Sequence, residues 1–210
     1  MMYSMKAYSR VAWIIIAFIL AGWWYFHYKD TQVVNGTILE RPQAAPLFSL
    51  TGIDGRVFDE RSLSGHWTML FFGFTHCDSV CPTRLMELAK MIQILERKNI
   101  SDLPHVMMIS LDPERDSLFG LKTYVQSFNP GFYAATGSKS TLARLELIWG
   151  ISANTVIKHQ SDGTLIQDIE HSSTVMVFNP NGALVAFLTS PSVAEQLAND
   201  FLIISKPRNK

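Results

Sequence analysis

Thr68-Met69-Leu70-Phe71-Phe72-Gly73-Phe74-Thr75-His76-Cys77-Asp78-Ser79-Val80-Cys81-Pro82 is the stretch that decides the fold. Residues 68–74 are apolar and aromatic after the first threonine, the pattern of a buried strand. Pro82 suits the first turn of a helix, where its missing N–H costs nothing. Leu85, Leu88, Ala89, Ile92 and Leu95 follow at spacings of three and four and predict a helix over 82–99. Strand, short turn and helix follow in order, with two thiols in the turn.

Cys77 and Cys81 are the 2 cysteines of the 210-residue chain, so no other disulfide can form within it. On one helical turn, residues i and i+4 share a face with Cα atoms about 6 Å apart. That lies inside the disulfide window of roughly 4.4–6.8 Å. The N-terminus of a helix favours thiolate over thiol. Two chemistries therefore stand open: a redox-active disulfide, or a site for a soft metal such as Cu(I). Two ligands fall short of the four of a structural zinc site, whereas a trigonal Cu(I) site needs one more donor.

Working outward, His105 to Leu111 (HVMMISL) predicts a second buried strand, followed by the loop Asp112-Pro113-Glu114-Arg115-Asp116 and a helix over 117–128. A short strand over 132–135 and a helix over 138–149, with Ser138 as N-cap, come next. An irregular stretch follows, with Asp162-Gly163 as a hairpin tip. Strands over 174–178 and 183–188 flank the turn Pro180-Asn181-Gly182, and Pro191 opens a last helix. Upstream, Asp54-Gly55 marks a hairpin between 47–50 and 56–58. The pattern predicts an α/β fold: a mixed sheet with helices on both faces. A dithiol after the first long strand makes it thioredoxin-like. Met69, Met107, Met108 and Met176 fall in strands and Met86 and Met91 in the helix, which assigns them to the core.

Lys+Arg and Asp+Glu are 18 each, a balance that argues against a nucleic-acid surface. Residues 11–28 contain no Lys, Arg, Asp or Glu, and Trp23, Trp24 and Tyr25 stand at the far end. This is the pattern of a membrane span with an aromatic belt. Lys6 and Arg10 precede it, which keeps the N-terminus inside and exports the rest. No small-x-small cleavage site follows, so an uncleaved anchor is expected. The expected organisation is an anchor over 1–28, a linker over 29–44 and a globular domain over 45–205. The expected location is a bacterial inner membrane, with the domain in the periplasm; a mitochondrial inner membrane is the alternative.

Of the six histidines, His171 stands out. It lies in Asp168-Ile169-Glu170-His171-Ser172-Ser173-Thr174, just before a predicted strand. In thioredoxins the loop at this topological place packs against the dithiol. A histidine there would face the cysteines and complete a Cys-Cys-His site. His76 adjoins Cys77, and adjacent residues rarely direct both side chains at one ion.

These residues resemble the Sco/SenC family of copper-binding assembly factors for respiratory oxidases. The resemblance covers about residues 43–205. It is carried by Phe72-Gly73-Phe74-Thr75-His76-Cys77-x-x-x-Cys81-Pro82, by Ser110-Leu111-Asp112-Pro113-Glu114-Arg115-Asp116 and by His171-Ser172-Ser173. It implies copper bound by Cys77, Cys81 and His171, with Asp112 and Asp116 near the site. Asp112 also has a local use in a turn before Pro113, and Asp116 or Ser117 has one as the cap of the next helix. The partners implied are the copper-centre subunit of cytochrome c oxidase and an upstream copper donor or thiol reductant. Two activities follow. One is a copper metallochaperone. The other is a thiol–disulfide oxidoreductase with Cys77 attacking and Cys81 resolving, acting on the cysteines of that same copper site. The Thr75-His76-Cys77 context does not match peroxiredoxins.

Overall fold

The computed structural model describes residues 13–24, 34–78, 80–151, 153–159, 165–171, 174–189 and 193–206. The chain divides into two compact units, Met1–Val33 and Val34–Lys210. In the first, residues 13–24 form helix α1. Its apolar side chains, Trp13, Phe18 and Trp24 among them, stand exposed. No helix among the described residues is long and apolar enough to cross a membrane. Residues 11, 12 and 25–28 of the expected span lie outside the described residues.

In the second unit, eight strands make one mixed sheet in the order β1-β10-β9-β4-β5-β6-β2-β3. They are β1 (Gly36–Ala44), β2 (Ser49–Gly52), β3 (Val57–Asp59), β4 (Thr68–Gly73), β5 (His105–Ser110), β6 (Tyr133–Thr136), β9 (Val175–Phe178) and β10 (Ala183–Leu188). All six residues of β4 are buried, as expected of a central strand covered on both faces. β4, β5 and β6 run parallel, and β9 runs antiparallel to β4.

Helices cover both faces, as the alternation of elements implies. On one face α2 (Val80–Arg97), α3 (Leu118–Phe128) and α5 (Ala194–Ser205) bury Leu85, Leu88, Leu95, Leu121, Val125, Leu197 and Phe201 against Met69, Phe71 and Met108. On the other, α4 (Lys139–Trp149) buries Leu142, Leu145 and Trp149 against Leu70, Phe72 and Phe178. Ser138 caps α4 through the Thr141 amide, and Gly150 ends it at φ 64°, where a Cβ would be strained. Of the six methionines assigned to the core, Met86 is the exception, being exposed on α2.

Two stretches depart from expectation. Residues 36–44, inside the expected linker, form the edge strand β1 paired with β10. Its side chains are mostly exposed, and its register shifts between Ile38 and Gln43. A polar strand interrupted by Pro42 at a sheet edge carries no alternating pattern that sequence inspection can find. The stretch read as irregular holds β7 (Ala153–His159) and β8 (Leu165–His171), an antiparallel pair in unbroken register. The Asp162-Gly163 tip lies outside the described residues.

Candidate metal centre

The end of β4 and the start of α2 hold the cysteines. Helix α2 begins at Val80, two residues before the expected start, so Cys81 is in its first turn and Cys77 lies just before it. Cys77 is therefore outside the helix, and its sulfur serves the helix end. The Cys81 amide donates to Cys77 Sγ at 3.4 Å. Such an amide has no partner within a helix and needs one from outside. No acidic residue competes in the first turn of α2. The helix N-terminus therefore favours negative charge on the Cys77 sulfur.

No disulfide joins the two residues; Cys81 is buried and Cys77 half-buried. The Cys81 thiol is pushed well above its ordinary range, first by its hydrogen bond to Cys77 and then by burial. The Phe74 backbone pulls in the opposite direction. In the reduced pair Cys81 therefore keeps its proton.

Space for the Cys81 sulfur comes from Gly73, the last residue of β4. A Cβ at Gly73 would stand 3.0 Å from Cys81 Sγ and 3.2 Å from Met108 Sδ. The pattern did not single out Gly73, although a glycine closing a strand signals close approach by another group.

Asp116 ties the turn together. Its carboxylate, 3% exposed as a residue, accepts from the Thr75 amide at 3.2 Å, from Ser110 Oγ at 2.6 Å and from the Thr75 hydroxyl. His76 Nδ1 lies 3.7 Å from it. Thr75 and Ser110 carry the Asp116 contacts, so the segment entering Cys77 is anchored to the end of β5. The Leu111 amide, donating to the Gly73 carbonyl at 2.8 Å, adds a second tie. Asp112 does something more local. It accepts from Arg115 through backbone and side chain, and its own amide donates to Ser110 Oγ at 3.1 Å. Of the two aspartates expected near the site, Asp116 touches the cysteine-bearing turn and Asp112 shapes its own loop. Ser117, not Asp116, caps α3.

His171 is the last residue of β8, opposite Ala153. Four residues later Val175 opens β9, whose register (Thr68↔Phe178, Leu70↔Met176) runs its first residues toward the end of β4. The chain thus enters β9 at the sheet edge where β4 departs for Cys77. The His171 side chain lies outside the described residues. Among those residues, no three His, Cys, Asp or Glu groups converge on one point. Chemically, the cysteine pair offers two soft donors, one poised as thiolate, which suits Cu(I) over hard cations.

The SCO1/SenC family pattern matches residues 37–203. Over 197 residues the chain is 30% identical to the mitochondrial SCO2 homolog of Danio rerio, covering 91% of this chain and 67% of that protein. Over 157 residues it is 31% identical to a putative copper-binding protein of Stutzerimonas stutzeri, covering 75% and 74%. The crystal structure of Arabidopsis thaliana ScoI with copper bound superposes with a TM-score of 0.68 at 28% identity, over 77% of this chain and 97% of that one.

Proposed function

The chain belongs to the SCO1/SenC family, and from that premise we propose that it is a copper chaperone for cytochrome c oxidase assembly. Its cargo is one copper ion, held by Cys77, Cys81 and His171. The observation that carries the proposal is the cysteine pair itself, with the Cys77 sulfur at the N-terminus of α2 and a buried second sulfur behind it. Such a pair selects a soft cation, and the imidazole supplies the third donor of a trigonal site. The entry of β9 beside the end of β4 supports His171 as that donor. The relatives cited above, one a putative copper-binding protein and one a structure with copper bound, support the same cargo.

Three donors leave the ion open on one side. Delivery then proceeds by exchange: incoming thiolates of the oxidase copper-centre subunit displace Cys77 and then Cys81. The exposed apolar helix over 13–24 supports a membrane anchor; the membrane proposed is a bacterial inner membrane with the domain in the periplasm, a mitochondrial inner membrane being the alternative.

A second activity has its own support. A half-buried Cys77 favoured as thiolate, backed by a buried Cys81 that keeps its proton, is the arrangement of an attacking and a resolving thiol. On this alternative the chain reduces the oxidase cysteines before they receive copper.

Mixing the loaded chain with the oxidase copper-binding domain separates the two. The chaperone proposal expects copper to move to the dithiol form of that domain. Reduction of its disulfide form by the metal-free chain, with no copper transfer in the first experiment, would favour the reductase.

A further inference from the structure

The β2–β3 hairpin and the starting ends of β4, β5 and β6 border a cavity of about 540 Å³, a size that suits a small molecule. The cysteine turn lies at the other end of β4, roughly 17 Å along the strand. Flat rings make much of the wall. Phe58 and Tyr133 lie with ring centroids 6.3 Å apart, and His66 and His105 stack at 3.9 Å with 26° between their planes. Met107 and Val106 add apolar surface. Thr68 also lines the cavity; it is 2% exposed, and its hydroxyl has no hydrogen-bond partner among the described residues. The other hydroxyls at the wall are occupied: Ser62 Oγ donates to Asp59 at 3.0 Å, and the Tyr133 hydroxyl donates to Asp54. A buried hydroxyl seldom stays unpaired, and a ligand oxygen in the cavity would pair this one.

The wall does not ask for a charged ligand. Arg56 and Asp54 stand 3.9 Å apart at the mouth, with side chains 87% and 41% exposed, and offset each other. Burial, with His105 beside it, lowers the His66 pKa and so favours the uncharged ring. Nor does the wall hold a metal, since no three His, Cys, Asp or Glu groups converge among the described residues. The flat faces select a flat ring, and Thr68 selects a hydroxyl on it. We propose that this cavity binds a small uncharged phenol, its hydroxyl bonded to Thr68 and its ring against the aromatic walls. The site is independent of the copper function above.

The probe is phenol itself, titrated into the full chain and followed by NMR at the Met107 methyl and the His105 ring protons. The expected result is a saturable one-to-one shift at both. Thr68→Val deletes the hydroxyl and keeps the shape, so it should bind phenol about 2–10-fold more weakly, the worth of one hydrogen bond. Thr68→Ser keeps the hydroxyl and should bind more tightly than Thr68→Val. Two further ligands test the class on the wild type alone. Cyclohexanol carries the hydroxyl on a puckered ring, and benzoate carries a charge on a flat one. Both should bind more weakly than phenol. Shifts that fail to saturate, or that miss Met107 and His105, would overturn the site. Equal binding by wild type and Thr68→Val, or a Thr68→Ser as weak as Thr68→Val, would overturn the role of Thr68. Cyclohexanol or benzoate matching phenol would overturn the ligand class.

Discussion

The two ends of the β4–β5 strand pair carry comparable raw material and use it differently. At the starting end, His66 and His105 stack with ring centroids 3.9 Å apart, and Thr68 pairs in register with His105. The Thr68 hydroxyl is buried and has no partner among the described residues. Burial lowers the His66 pKa, with His105 adding to the effect. At the finishing end, the hydroxyls of Thr75 and Ser110 both donate to buried Asp116, and the Cys81 amide donates to a sulfur. Two imidazoles in contact do not make a site. A carboxylate that fixes the backbone entering a helix N-terminus does, and in parallel sheets that happens where the strands finish.

Breaking the finishing end should have the largest effect. Asp116→Ala strands the Thr75 amide and two hydroxyls, a loss of roughly 3 kcal/mol. Urea unfolding should show it as a lower midpoint at unchanged slope. Copper affinity should fall with it, since the turn bearing Cys77 loses its anchor.

Gly73→Ala puts a methyl 3.0 Å from Cys81 Sγ. Overpacking of this kind costs about 1–3 kcal/mol. The change should also slow disulfide formation between Cys77 and Cys81, measured by thiol counting during oxidation.

A third test lies away from both ends. Glu87 on α2 accepts from the Ala194 amide at 2.7 Å and thereby caps α5, whose own N-cap, Val193, has no side-chain bond to give. Losing such a cap by Glu87→Ala should cost about 1 kcal/mol. The Glu87 carboxyl is held below its usual range by Lys90 first and by the Ala194 amide next, against the opposing effect of burial. A lowered folded pKa stabilises the protein above the ordinary carboxylate range, and that contribution is lost as pH falls through the folded value. The wild type and Glu87→Ala should therefore converge in stability in acid and separate toward neutral pH.

The smallest effect belongs to the starting end. Thr68→Val removes a buried hydroxyl that has no partner and keeps the shape, so thermal unfolding should be unchanged or slightly higher. A clear loss of stability there would mean the two ends are more alike than their contacts indicate.

Much of this was legible in the chain. The unbroken apolar run of β4 and the threes and fours of α2 reflect burial on two faces and on one stripe, and both leave strong periodic traces. The placement of helices on both faces followed from the alternation of elements. Edge strand β1 was missed because a polar strand with one flank in solvent has no apolar pattern. Strands β7 and β8 were missed because their alternation is broken by polar residues such as Lys158 and Gln167. At the site, cysteine spacing announced the donors. The role of Thr75 depends on a contact with Asp116, 41 residues on, and those of Gly73 and Ser110 on how the chain folds just past the ends of β4 and β5, which no residue spacing records.

The central claim is a copper site built from Cys77, Cys81 and His171, and titration of the reduced full chain with Cu(I) against a competing chelator tests it most directly, run beside His171→Ala. The account predicts tight one-to-one binding in the wild type and its collapse in the variant. Weak binding, or binding indifferent to His171, would contradict it.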